Sequence, residues 1–265
     1  MSSRFVNAPV LTADERARVR GRRILLVMAH KGHVQQEALK PLAIFEAAGC
    51  PVTIACLDAD RVAFDPIGGL LAVAEAAWDP TFRLWRALKR AGRFAGVPSL
   101  RALDRSGTLP GWLSGFDAVF VPGGHGRVFH DFLHDPLTAG VVRRFDRAGA
   151  VVGLVCHAAI VGAHPGEDGI PLVRGREVAC WPRAGDRFFG RLPGLGRYMV
   201  PYAKPAAVIV EEAGARVHDR VLIYPRVHAV VDGNLVTSRG PWSAGAFAAA
   251  VLSELARRVT LSQPA

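Results

Sequence analysis

The sequence predicts an α/β fold built on a mostly parallel sheet, and three observations carry that prediction. Apolar runs of strand length recur at 23–29, 52–57, 117–121 and 151–155. Runs that are apolar throughout suit strands buried on both faces, as in parallel sheets. Helical periodicity fills the gaps, from about Gln35 to Ala48 with Gly49 as the stop, and from about Pro136 to Ala148. Strand, helix, strand at this spacing is a βαβ unit. The third observation is that glycine-rich or sharp turns follow two of the strands, at 122–126 and around Cys156.

Taken in order, residues 1–20 read as a polar, Arg-rich N-terminal leader with a helical turn or two. A single domain is expected over 21–258, followed by a short tail, 259–265. Between 65 and 114 the pattern changes to helical pieces broken by Gly and Pro, read as a helical insertion beside the sheet and a cap over the site. Later elements are a strand near 177–181, a helix near 205–212, strands around 230–237 and a last helix over 244–258. No internal repeat or low-complexity tract interrupts them.

Composition narrows the function classes. The chain has 265 residues, enough for one full core. Its four cysteines, Cys50, Cys56, Cys156 and Cys180, show no Cys-x-x-Cys or zinc-ribbon spacing. No secretory signal and no run approaching the ~20 apolar residues of a membrane span is visible. A reducing, cytoplasmic setting is expected. The excess of 33 basic over 23 acidic residues lies largely in 16–23 and in 83–105. In the second group Trp78, Phe82, Trp85 and Leu88 share a helical face, so a packed helix with a solvated basic side is the default. Without a recognition motif, charge supplies only non-specific nucleic-acid affinity.

The chemistry concentrates at Gly153-Leu154-Val155-Cys156-His157-Ala158-Ala159. A cysteine there sits on a sharp strand-to-helix turn that pushes its sulfur out of the sheet. A helix starting at the turn would present its positive end and lower the thiol's pKa. A second turn, Pro122-Gly123-Gly124-His125-Gly126, comes directly after another strand, and its glycines let backbone N–H groups approach a substrate oxygen. The Gly124 and His157 amides together would form an oxyanion hole. Glu37, just past the first strand, is either a helix-dipole partner or a proton shuttle whose pKa burial and a nearby thiolate raise. His33 and Cys180 receive no chemical role.

These motifs resemble the ThiJ/PfpI superfamily, the class I glutamine-amidotransferase-like proteins, and within it the heat-shock chaperone-like, glutathione-independent glyoxalases (glyoxalase III). Glu37-Ala38-Leu39-Lys40-Pro41, Phe120-Val121-Pro122-Gly123-Gly124-His125-Gly126 and Val155-Cys156-His157 carry the similarity. So do Ala179-Cys180-Trp181-Pro182-Arg183-Ala184-Gly185-Asp186 and Asp232-Gly233-Asn234-Leu235-Val236-Thr237. The resemblance implies a flavodoxin-like, doubly wound, mostly parallel sheet with helices on both faces. It also implies catalysis by Cys156, His157, Glu37 and Asp186, the last as triad acid, on a 2-oxoaldehyde such as methylglyoxal. A 2-hydroxy acid would be the product, no metal or cofactor would be needed, and a homodimer is expected. Gly124, His125, Ala158, Arg239 and Trp242 would bind substrate. Ala158 stands where the family commonly has Gly, and Arg239 and Trp242 replace small polar residues, which points to a narrower pocket or an anionic or aromatic substrate.

Rival readings share the elbow. A glutaminase needs a downstream His-x-Glu, and none of His157, His164, His218 or His228 begins one. A cysteine peptidase or another small-molecule hydrolase or hydratase uses the same nucleophile. A protein deglycase acting on glycated proteins, a holdase binding unfolded proteins through the Trp78–Leu88 face, or an oxidation sensor completes the alternatives.

Overall fold

A computed structural model describes residues 4–6, 11–65, 87–194, 196–199, 203–218 and 229–262. The strands of its main sheet are β1 (Arg4–Val6), β2 (Ile24–Met28), β4 (Val52–Cys56), β6 (Ala118–Val121), β7 (Val151–Val155), β10 (Ala229–Asp232) and β11 (Leu235–Ser238). Their order is β1-β10-β11-β7-β6-β2-β4. From β11 to β4 all neighbours are parallel, while β10 and β1 extend the sheet antiparallel. The parallel strands thus run 2-1-3-4-5, the flavodoxin-like doubly wound order. The chain winds first to one side of β2 and then to the other. That places the topological switch, where such sheets bind ligands, between the carboxyl ends of β2 and β6.

The unbroken apolar runs are explained by two layers. In β2, Leu25 and Val27 face one core, and Ile24, Leu26 and Met28 face the other. The first core is closed by α3 (Leu100–Arg105), α4 (Leu109–Leu113), α5 (Gly126–Leu133), α6 (Pro136–Arg147) and α9 (Ala206–Glu212). The second is closed by α1 (Ala13–Val19), α2 (Gln35–Ala47) and α10 (Ala244–Ser262). Each fully buried Leu, Ile, Val or Phe contributes roughly 1.5–3 kcal/mol. Gly153 in β7 is required by this packing, since a Cβ there would lie 2.6 Å from the Phe247 ring.

Several expectations need correction. Residues 4–6 pair with β10 as the edge strand, and α1 is capped by Thr12 and Glu15 and buries Val19. The last helix continues to Ser262, so 259–262 is not tail. Within 65–114, Leu100, Leu109 and Leu113 belong to the core around Leu25 and Val27, so 100–113 packs as the crossover between β4 and β6. Residues 66–86, with Trp78, Phe82 and Trp85, lie outside the described residues. Two short pairings went unread: β3 (Lys31–His33) with β5 (Ala63–Phe64), and β8 (Glu177–Val178) with β9 (Arg216–Val217). So did the helices α5, α7 (Arg183–Gly190) and α8 (Gly196–Met199).

Candidate active site

Cys156 is the residue after β7, and it has φ +62°, the left-handed region, unique among non-glycine residues described. Holding a side chain there costs on the order of 1–3 kcal/mol, which the fully buried strand on its N-terminal side sustains. The chain continues from it as a 3₁₀ turn, Cys156–Ala163, and not as the expected α-helix. The expected lowering of the thiol's pKa is overturned with it. Cys156 is wholly buried, and burial together with the Glu37 carboxylate pushes its pKa well above the usual value, against the opposing pull of the His157 amide.

His157 and Asp186 stand in line with it. Cys156 Sγ is 3.4 Å from His157 Nδ1, and His157 Nε2 is 2.9 Å from Asp186 Oδ1. Asp186 is buried in the first turn of α7, and its Oδ2 accepts the Ala206 N–H at 2.7 Å. A carboxylate there requires the proton on Nε2, so Nδ1 presents its lone pair to the thiol. The Trp181 ring, 5.7 Å from the His157 ring, covers this line.

Glu37 approaches from the other side. It occupies the third position of α2, whose N-cap Val34 supplies no side-chain cap. An acid there ordinarily serves the helix dipole. Here burial outweighs the dipole and raises the Glu37 pKa to about 8. Among the described residues neither carboxyl oxygen makes a hydrogen bond of ordinary geometry, and the Cys156 thiol and Gly123 amide are its polar neighbours. Gly123 makes this closeness possible: a Cβ on it would fall 2.2 Å from Glu37 Oε2 and 2.5 Å from Cys156 Cβ.

The loop after β6 is held by His33, a residue to which the sequence assigned nothing. His33 is fully buried. Its Nε2 accepts the Ala29 N–H at 2.7 Å, and its Nδ1–H points to the carbonyls of Pro122 and Gly123 at 3.1 and 3.2 Å. Burial drops its pKa to about 4, so it is a neutral clamp between the β2 and β6 loops. The Gly124 N–H donates to no group among the described residues, whereas the His125 N–H is taken by Gly32 O at 2.8 Å.

Of the other residues expected to bind substrate, Trp242 is 65% exposed and stacks on Trp181 at 6.2 Å. Arg239 is partly buried just beyond β11. Ala158 is a correction: its methyl lies in the core with Leu154 and Ile160, on the layer opposite Cys156, because the 3₁₀ turn rotates it away. His125 adjoins His157, with ring centroids 5.8 Å apart. Sequence reasoning missed Asp65, Tyr198 and Ser238. Ser238 is fully buried opposite Val155 in register, its hydroxyl without a hydrogen-bond partner among the described residues.

Among the described residues, no group of three His, Cys, Asp or Glu side chains is arranged to hold a metal. No described helix is long and apolar enough to cross a membrane. A groove of about 860 Å³ between α4, α6 and residues 164–167 lies apart from Cys156. Its Arg143 and Arg144 are engaged by the carbonyls of His164 and Pro110.

Searches of curated protein sequences give no match. Solved structures do resemble this one. Francisella tularensis Rapid Encystment Protein 24 kDa aligns with TM-score 0.69 at 18% identity, over 88% of this chain and 99% of its own. Glyoxalase III from Candida albicans aligns with TM-score 0.62 at 18% identity, over 88% and 97%. Drosophila melanogaster DJ-1beta aligns with TM-score 0.52 at 20% identity, over 91% and 96%. At these identities the likeness speaks for the fold. Residues 112–254, which hold the β6 loop, Cys156, His157, Asp186 and Trp242, match the DJ-1/PfpI family model, and the chain belongs to the DJ-1/PfpI family.

Proposed function

We propose that the protein is a cysteine-dependent, glutathione-independent glyoxalase, converting a 2-oxoaldehyde such as methylglyoxal to a 2-hydroxy acid. The observation that carries this reading is the pair of proton-handling groups on either side of one sulfur. His157, backed by Asp186, lies 3.4 Å from Sγ, and Glu37, with a pKa of about 8, lies across Gly123 from it.

The reaction divides into balanced steps. As Sγ adds to the aldehyde carbon, its proton passes to His157 Nδ1 and then to the aldehyde oxygen, giving a hemithioacetal. Ionised Glu37 removes the hydrogen on that carbon. The electron pair forms a carbon–carbon double bond and leaves negative charge on the second oxygen, which the Gly124 and His157 amides suit. Glu37 returns the proton to the second carbon, and a thioester results. Water, activated by His157, releases the 2-hydroxy acid and the thiol. A carboxyl with pKa near the working pH gives and takes protons with comparable ease.

An oxidation-sensing role is disfavoured, because sensor thiols are accessible and of low pKa, and Cys156 is neither. Its burial also suits a small carbonyl better than a polypeptide. The apolar helical face suggested for a holdase lies, apart from Leu88, outside the described residues. Arg239 and Trp242, beside the site's β11 edge, would favour a substrate with an anionic or aromatic group. The test is lactate formation from methylglyoxal without glutathione. Turnover by the wild type and its loss in Cys156→Ala and Glu37→Gln are expected. Wild-type protein that makes no lactate overturns the assignment to methylglyoxal.

A further inference from the structure

Next to the Cys156–His157–Asp186 line runs a second line of similar composition. Asp65 is wholly buried just past β5. Its Oδ1 accepts the Tyr198 hydroxyl of α8, and its Oδ2 lies 3.4 Å from His125 Nδ1. His125, the N-cap of α5, sets its ring at 71° to that of His157. The Tyr198 ring rests on Gly126, where a Cβ would come within 3.2 Å of it.

The donors settle the tautomer. Burial and the Asp65 carboxylate both raise the Tyr198 pKa, so Tyr198 keeps its proton and donates it. Asp65 can then accept from His125 only if Nδ1 carries hydrogen, which leaves a bare lone pair on Nε2, at the far side of the ring. The charged and titratable groups around this imidazole are Asp65, His157 and Asp186. Burial, the largest influence, and His157 lower its pKa against the pull of the two carboxylates, so it rests neutral, and Asp65 is the group that faces the cation when it takes a proton.

The proposed glyoxalase chemistry, on which this inference rests, leaves one transfer without an agent. After Glu37 has moved a proton between the two carbons, the first oxygen must still lose a proton and the second must gain one. We propose that His125 is a further catalytic residue that carries this proton between the two substrate oxygens, with Asp65 and Tyr198 as its positioning residues. Nε2 takes the proton from the first oxygen as the thioester carbonyl forms, and the resulting imidazolium, facing Asp65, returns it to the second. No oxidant, reductant or further reactant is needed.

The experiment compares wild type, His125→Gln and Tyr198→Phe with methylglyoxal, following kcat, KM, the pH profile and intact mass in quenched samples. His125→Gln should lower kcat by about 10²–10⁴-fold with little change in KM, and Cys156 should then carry one substrate molecule. Tyr198→Phe keeps the ring on Gly126 but frees Asp65 of a donor, so the His125 cation is favoured and the acid limb of kcat moves to higher pH. Wild-type kcat in His125→Gln overturns the proposal. So does a loss of kcat with no accumulated adduct and an unmoved limb in Tyr198→Phe, which marks the row as structural. If the wild type itself forms no lactate, the parent reading fails and takes this one with it, a result distinct from wild-type turnover that His125→Gln preserves.

Discussion

Replacing Glu37 by Gln should make Cys156 more acidic, but only at alkaline pH. Glu37 Oε2 and Cys156 Cβ both lie within 2.5 Å of the point where a Gly123 Cβ would stand, so the carboxylate is within ~5 Å of Cys156 Cβ and has the thiol as its polar neighbour. A unit charge at that distance, in an effective dielectric of about 20, opposes thiolate formation by ~3 kcal/mol, or about two pH units. Below pH 7 Glu37 is mostly protonated, since its pKa is about 8, and resembles the neutral amide. Above pH 8 it ionises and holds the thiol's proton in place, which Gln cannot do. The two groups titrate as a coupled pair, so the profiles and not a single pKa are the observable. Thiolate ultraviolet absorbance, taken as a difference from Cys156→Ala, isolates this cysteine from Cys50, Cys56 and Cys180. The curves of wild type and Glu37→Gln should coincide near pH 7, and above pH 8 the wild-type rise should come up to about two pH units later than that of Glu37→Gln. Curves that coincide throughout would refute the coupling on which Glu37's role rests.

Four further outcomes are expected from the same geometry. Asp186→Asn should lower kcat by about 10²–10⁴-fold by releasing the His157 tautomer. Asp186→Ala, which also orphans the Ala206 N–H, should cost a further ~1–3 kcal/mol, read from denaturant midpoints. Gly123→Ala should abolish turnover and destabilise by about 1–3 kcal/mol, because its methyl overlaps both Glu37 and Cys156; kinetics and Tm check it. His33 supplies a pH signature. Its folded pKa, about 4, is depressed below the unfolded 6.5, so its contribution is complete above pH 6.5 and is lost as pH falls toward 4. The difference is worth about 3 kcal/mol, and urea melts at pH 7 and 4.5 should show a steeper loss in wild type than in His33→Gln.

What could be read from the sequence was local. Strands β2, β4, β6 and β7 announce themselves as apolar runs because both faces of each are buried. The elbow, the Gly123–Gly124 loop and Glu37 are visible because each sits directly after a strand, so sequence position gives spatial position. Asp186 was placed by family resemblance, since nothing local ties it to a histidine 29 residues earlier. Asp65 and Tyr198 meet across 133 residues and belong to segments without periodicity, so no pattern could pair them. Helix α5 begins inside a glycine-rich loop on an N-cap that makes no side-chain cap hydrogen bond, which hid its start. The direction of the Cys156 pKa depends on complete burial and on a carboxylate from another element, neither of which a motif encodes. The 3₁₀ turn after Cys156 likewise turned Ala158 from a predicted substrate contact into core.

The most direct test of the central claim is the location of the substrate during turnover. Wild-type protein mixed with methylglyoxal without glutathione, acid-quenched within a few turnovers and digested, should yield the Cys156 peptide carrying one substrate-derived group while lactate accumulates. Lactate formed with Cys156 unmodified at every quench time, or formed equally by Cys156→Ala, would contradict covalent catalysis by this cysteine.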